Sequence, residues 1–181
     1  MSEVVNNQTG QLILVNEKDE VVGYGEKMEV HEKAQLHRAF SIFVMNKNDQ
    51  VMIQKRADHK YHSGGLWANT CCSHPIKDEE QEVTVHRRLK EEMGFTCPLK
   101  EIFSFVYKAE LDKGLTEHEF DHVYFGRYEG NPDPNPEEVG DWKWIDIHQL
   151  NQELISQPEK YVYWIRPAFQ EFYNYFKSQK L

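Results

Sequence analysis

Apolar positions in the first third of the chain alternate with polar ones. QLILV (11–15) and DEVVG (19–23) read as the two arms of a hairpin. A polar stretch follows as far as His37 and suggests no element. HRAFSIFVMN (37–46) is rich in β-branched and aromatic residues, and QVMIQKRA (50–57) is expected to pair with it across the turn KNDQ. From 78 to 95 the period changes. DEEQEVTVHRRLKEEMGF sets Val85, Leu89 and Met93 four residues apart, with acidic residues in the first turn and Gly94 at the end, which predicts one helix. EIFSFVYKAEL and EHEFDHVYFGRYE then form two strand patterns around DKGLT. The proline-rich acidic loop NPDPNPEEVG precedes a short strand, DWKWID. IHQLNQELISQ and roughly 164–178 close the chain as helices, with Pro167 tolerable only in the first turn. The order is that of a mixed α+β protein, and 181 residues are enough for a single domain, 1–181, with its own core.

Composition narrows the class. A hydrophobic share of 39% and a charged share of 28% are ordinary for a globular chain. No apolar run approaches the roughly 18 residues of a membrane span, and the N-terminus lacks the pattern of a signal peptide. Three cysteines, an odd number, point to a reducing compartment, so a cytoplasmic protein is expected. The net charge of -9 argues against a nucleic-acid partner. An anionic substrate would need local cations or a metal against that field. The acidic surface and the lack of an apolar stripe point to a monomer.

The chemistry concentrates in a few stretches. In LWANTCCSHP (66–75), an extended backbone turns Thr70, Cys72 and His74 to one face and Cys71 and Ser73 to the other. Cys72 and His74 can therefore share a site, while Cys71 suits the core; a pair of buried thiols beside a surface histidine is the plainer alternative. On the helix, Glu92 lies only about 20° from the direction of Val85, on the core side. A carboxylate there has to pair or bind a metal; Arg88, one turn earlier, is the simple partner. TEHEFDH (116–122) puts Glu117, Glu119 and Asp121 on one strand face, which reads either as a chelating pair or as a solvated edge. His31, His37 and His74 with these carboxylates make a donor set suited to Mn²⁺, Zn²⁺ or Mg²⁺. Lys55, Arg56 and Lys60, and then Arg87 and Arg88, are the basic runs where a phosphate could dock.

The helix resembles the Nudix box, G-x5-E-x7-R-E-U-x-E-E-x-G-U, with Glu79, Arg87, Leu89, Glu91, Glu92, Gly94 and Phe95 at matching positions. Ser73 stands where the first Gly belongs, and Arg88 replaces the Glu that helps hold a water-activating metal cluster in Nudix hydrolases. With NTCCSHP upstream, these departures resemble type 1 isopentenyl-diphosphate isomerases. GEK (25–27), LHRAFS (36–41), KRADHK (55–60), RRLKEEMGF, VYK (106–108), EHEF and YWIRPAF extend the likeness over most of the chain.

That resemblance implies a Nudix-like α/β/α sandwich with a mixed sheet, in which residues 1–36 are an N-terminal extension contributing to the site. It implies interconversion of isopentenyl and dimethylallyl diphosphate in isoprenoid synthesis. It assigns Cys72, Glu119, Tyr107 and Trp164 to catalysis and Lys27, Arg56, Lys60 and Arg88 to the diphosphate. His31, His37, His74, Glu117 and Glu119 would hold one divalent metal (Mn²⁺, Mg²⁺ or Zn²⁺), and Glu92 a Mg²⁺ bridging to the diphosphate.

Moving a double bond puts a proton on one carbon and takes another off two carbons away, through a tertiary cation that water would trap. The site needs an acid, a base across the substrate, a cation stabiliser and a dry pocket. Glu119, with the Tyr107 hydroxyl, is expected to protonate the alkene, Cys72 to remove the C2 proton, and Trp164 to offer its π face. The alternative, a Nudix hydrolase of a nucleoside diphosphate derivative, has to do without the Glu that Arg88 replaces.

Overall fold

The computed structural model describes residues 10–179, the side chain of Asp112 excepted. In chain order these form β1 (Leu12–Val15), β2 (Val21–Gly25), α1 (Lys27–Glu32), β3 (His37–Met45), β4 (Gln50–Arg56), β5 (Trp67–Ala68) and β6 (Cys71–Ser73). They continue with α2 (Gln81–Met93), β7 (Leu99–Glu110), β8 (Thr116–Arg127), β9 (Val139–Asp146), α3 (Ile147–Ser156) and α4 (Ile165–Gln179).

β3 is the axis of the sheet. One of its edges runs parallel to β8 from His37↔Glu119 to Met45↔Arg127. The other edge is shared out: β1 meets it at His37, β6 at Phe40–Ile42 and β4 at Met45. The β3–β4 ribbon read from the sequence is therefore corrected, because the two strands meet only at Met45↔Val51. β4 instead pairs along Gln50–Arg56 with β9. The physical reason lies in Asn69 and Thr70, which fill the splay. Thr70 Oγ1 accepts from Val44 N–H (2.9 Å) and donates to the Met52 carbonyl (2.6 Å), and Asn69 Nδ2 donates to the Ile42 carbonyl (3.2 Å). Backbone groups that a β3–β4 ladder would have paired are thus satisfied by two side chains.

β3 alternates as a two-sided strand should. Phe40, Ile42 and Val44 pack with Val85, Leu89 and Met93 of α2. Phe43 and Met45 face Ile147, Leu150, Phe169 and Phe172 of α3 and α4. The result is the expected α/β/α sandwich around a mixed sheet. α2 ends at Gly94 with φ 76°, where a Cβ would also run into the Asp133 backbone, so only glycine fits.

One element departs from the sequence reading. The stretch read as structureless contains α1, six residues long and anchored by Val30 and His31, both buried. A segment that short shows no periodicity to read. Among the described residues no helix is long and apolar enough to cross a membrane.

Candidate active site

Three histidines from three elements converge beside β8. The ring centroids of His31 (α1), His37 (β3) and His74 (after β6) lie 4.9 to 5.5 Å apart. One ligand atom from each, with a carboxylate oxygen of Glu119, falls within 4.8 Å of the others, and all four residues are buried. Orientation is set by the backbone. His31 Nδ1 donates to the Lys27 carbonyl (2.6 Å) and His37 Nδ1 to the Gln35 carbonyl (2.9 Å). A carbonyl only accepts, so each Nδ1 carries the hydrogen and Nε2 is left as a lone pair, buried and without a hydrogen-bond partner in both residues. Burial, chiefly, lowers the pKa of His31 to about 4 and that of His74 to about 3, so both are neutral at physiological pH. Orphaned imidazole nitrogens beside a carboxylate are a donor set that can hold a divalent metal.

The carboxylate face of β8 points inward; the solvated-edge reading of TEHEFDH is overturned. Glu117, Glu119 and Asp121 are all buried. Tyr107 of β7 lies opposite Glu119 in register, and its hydroxyl stands 2.9 Å from Glu117 Oε2 and 2.6 Å from Glu119 Oε2. One hydroxyl proton cannot serve two carboxylates at once, and the two carboxyls are shifted in opposite directions. Burial and then the Glu119 charge raise Glu117 well above the usual carboxylate range. Burial would raise Glu119 too, but the imidazoles of His37 and His74 beside it outweigh that and hold the carboxyl well below its usual range. Glu119 is thus the ionised member; His74 Nε2 lies 2.9 Å from its Oε1. Asp121 turns away to accept from Ser41 Oγ (2.8 Å).

Cys72 stands across β3 from Glu119. It pairs with Ser41 on the β6 edge, while Glu119 pairs with His37 on the β8 edge. Cys71 is fully buried in the core on the α2 side, whereas Cys72 reaches the pocket. Burial, then the carboxylates of Glu92, Glu117 and Glu119, keep the Cys72 thiol protonated; Arg56 opposes them. Tyr107 is likewise held in its protonated form, by burial first.

The same pocket is also lined by Lys27, Arg56, Lys60 and Arg88. The loop after β4 folds back on Arg56, whose Nη2 donates to the His62 carbonyl (3.3 Å), and this brings Lys60 round. Arg88 is the partner of Glu92 and also lines the pocket. Its Nη2 donates to Glu92 Oε1 (2.7 Å), while Gln54 Nε2 donates to Glu92 Oε2 (2.9 Å), so the core-facing carboxylate is paired and also lines the pocket. Lys27 is crowded enough that burial, with Lys60, Arg56 and Arg88 nearby, lowers it to about 8. Lys55 and Arg87, from the same basic runs, are not among the lining residues; Arg87 is tied to Glu79 and Glu91. Trp164 is 3% exposed and also lines the pocket, with the Arg56 guanidinium 5.4 Å from its ring centre.

Among the lining residues that the sequence reading missed are Glu138 and His62. Glu138 comes from the proline-rich loop and accepts from Lys60 Nζ at 2.5 Å. Burial would raise its carboxyl, but Lys60 and Arg88 outweigh that and keep it ionised. His62, edge-on to Trp164 at 5.9 Å between ring centres, is lowered to about 2, mainly by burial. Nothing in their spacing singled either out, since both sit on irregular loops.

Residues 35–170 match the family model of the NUDIX domain. The chain is 52% identical over 155 residues to isopentenyl-diphosphate Delta-isomerase 2 of Aromatoleum aromaticum, covering 86% of this chain and 82% of that protein. It is 43% identical over 170 residues to isopentenyl-diphosphate Delta-isomerase of Pectobacterium atrosepticum, covering 94% and 95%. Among solved structures, DR0079 from Deinococcus radiodurans superposes with a TM-score of 0.67 at 21% identity, covering 81% of this chain and 90% of that one. The MutT protein of Methanosarcina mazei Go1 gives 0.64 at 15%, covering 78% and 96%. Those two likenesses speak for the fold.

Proposed function

The chain belongs to the NUDIX-domain isopentenyl-diphosphate Delta-isomerases, and from that membership we propose that Cys72 and the Tyr107–Glu119 pair are the two proton carriers of its pocket. The enzyme interconverts isopentenyl and dimethylallyl diphosphate by protonation and deprotonation. The observation that supports this assignment best is the placement of the two carriers on opposite edges of β3, in one pocket that four cations also line.

Lys27, Arg56, Lys60 and Arg88 anchor the diphosphate, which takes no part in bond making but fixes where the alkene lies. Glu119 passes to the terminal carbon a proton that Glu117 holds and the Tyr107 hydroxyl relays, and Cys72 takes the C2 proton from the other side; the reverse reaction exchanges the roles. For that, Cys72 has to enter as thiolate. Burial first, and then the nearby carboxylates, oppose this form while Arg56 favours it; cations held at those carboxylates would offset the carboxylates' share. Trp164 presents its ring to the tertiary cation, worth about 2 kcal/mol when desolvated. A buried thiol, phenol and carboxylates leave little room for water to trap that cation.

His31, His37, His74 and Glu119, with Glu117 alongside, are the residues that would hold a divalent metal (Mn²⁺, Mg²⁺ or Zn²⁺), and Glu92 a Mg²⁺ shared with the diphosphate. Such ions supply positive charge that fixes Glu119 and neutralises phosphate oxygens. α1 carries Lys27, which lines the pocket, and His31 of the histidine group, and this supports reading the segment before β3 as part of one domain, 1–181. A small-molecule substrate, a cytoplasmic location and a monomer complete the reading. The hydrolase alternative is weaker, because Arg88 occupies the position of its water-activating Glu and is spent on Glu91 and Glu92.

Proton NMR of isopentenyl diphosphate with the protein and Mg²⁺ in D₂O tests this. Deuterated dimethylallyl diphosphate is the expected product; phosphate release, or intact substrate, would overturn the isomerase reading.

A further inference from the structure

Glu138 is an anomaly at the cationic end. A carboxylate there competes with the diphosphate for the very cations that bind it. Yet it is buried to 8% exposure, accepts from Lys60 Nζ at 2.5 Å and stands 3.7 Å from Arg88 Nη2. The same Arg88 nitrogen holds Glu92 at 2.7 Å on its other side. Two carboxylates therefore share one guanidinium nitrogen inside the pocket that we read as an anion site.

This has a chemical consequence. A bare diphosphate carries about two to three negative charges and meets like charge at Glu138 and Glu92. The same diphosphate complexed to a dication is nearly neutral and brings a positive centre to those carboxylates. Without Glu138, four cations would accept many phosphorylated anions. With it, only an anion that brings its own countercharge is favoured, which is how a repulsive element creates selectivity.

We propose that Glu138 is a specificity residue that makes the pocket take a diphosphate as its divalent-metal complex and reject the bare anion. It works from the pocket wall through charge, and by keeping Lys60 in place while the pocket is empty. The inference rests on the reading of this end as the diphosphate site.

Calorimetric titration of inorganic pyrophosphate into the full-length protein, once with chelator and once with excess Mg²⁺, tests it. The unaltered protein is expected to prefer the Mg²⁺ complex by at least about tenfold. Glu138→Gln, which keeps the shape and can still accept from Lys60, is expected to bind metal-free pyrophosphate more tightly, so that the preference shrinks. Glu138→Asp restores the preference. A mere brace for Lys60 predicts the opposite sign: Glu138→Gln would weaken metal-free binding, and that result, or no change, overturns the proposal. The NMR assay on the unaltered protein keeps the two readings apart. Isomerisation with an unmoved metal preference in Glu138→Gln sinks only the role of Glu138. A shifted preference without isomerisation sinks only the assigned reaction.

Discussion

Around the histidines burial drives the ionisable groups other than Glu119 towards their uncharged forms, whereas around the four cations charge is kept by pairing. His31 and His74 are neutral, Cys72 and Tyr107 keep their protons, and Glu117 is raised well above the usual carboxylate range. Among the cations, Arg88 is matched to Glu92 and Glu91, and Lys60 to Glu138. Proton transfer needs groups that exchange protons in a dry setting, while anchoring a diphosphate needs fixed charge, so each end suits its task. Lys27 is the intermediate case, a cation with no ion-pair partner among the described residues and a lowered pKa, which Glu138 only partly offsets.

The largest effect that can break this division is Glu119→Gln. Turnover is expected to fall about a thousandfold or more, with metal binding weakened. Pyrophosphate affinity stays near that of the parent, since the anchoring end is intact; calorimetry beside the kinetic assay separates the two. Arg88→Ala should do the reverse. It raises KM by about a hundredfold, from a lost charge-assisted hydrogen bond. It also costs about 3 kcal/mol or more of stability, read by denaturant unfolding, because Glu92 is left buried with only Gln54. Tyr107→Phe removes the hydroxyl shared by Glu117 and Glu119 and is expected to lower kcat about tenfold with little change in KM.

The smallest effect sharpens the intermediate case. A lysine binds an anion only while protonated, that is below its pKa. With that of Lys27 near 8 in the empty pocket, kcat/KM is expected to fall as pH rises through about 8. Lys27→Arg keeps its charge and should move this alkaline limb upward by more than one pH unit. An unmoved limb would assign it to another group.

Most of the reactive end was legible in the sequence because its residues lie on regular elements. The alternation of β8 put Glu117 and Glu119 on one face, and the 100° steps of α2 turned Glu92 inward. What the pattern could not show is which face of an edge-like strand is buried; the β7 and β3 partners of β8 decide that. Tertiary wedges were equally hidden. Thr70 prises β3 from β4 through hydrogen bonds to residues 18 and 26 positions away. α1 was too short to announce itself, and Glu138 lies in an irregular loop whose direction only the fold sets. The names of the chemical groups could be read early; the loops that aim Lys60, His62 and Glu138 could not.

The central claim is that two proton carriers flank one substrate, with Cys72 as one of them. The direct measurement is proton NMR of isopentenyl diphosphate in D₂O with Mg²⁺, run side by side for the unaltered protein and Cys72→Ala at matched pyrophosphate affinity. The unaltered protein should yield dimethylallyl diphosphate carrying deuterium, and Cys72→Ala should yield it about a thousandfold more slowly or not at all. Equal turnover by the two would contradict the assignment of Cys72 and leave the Tyr107–Glu119 side to carry both protons.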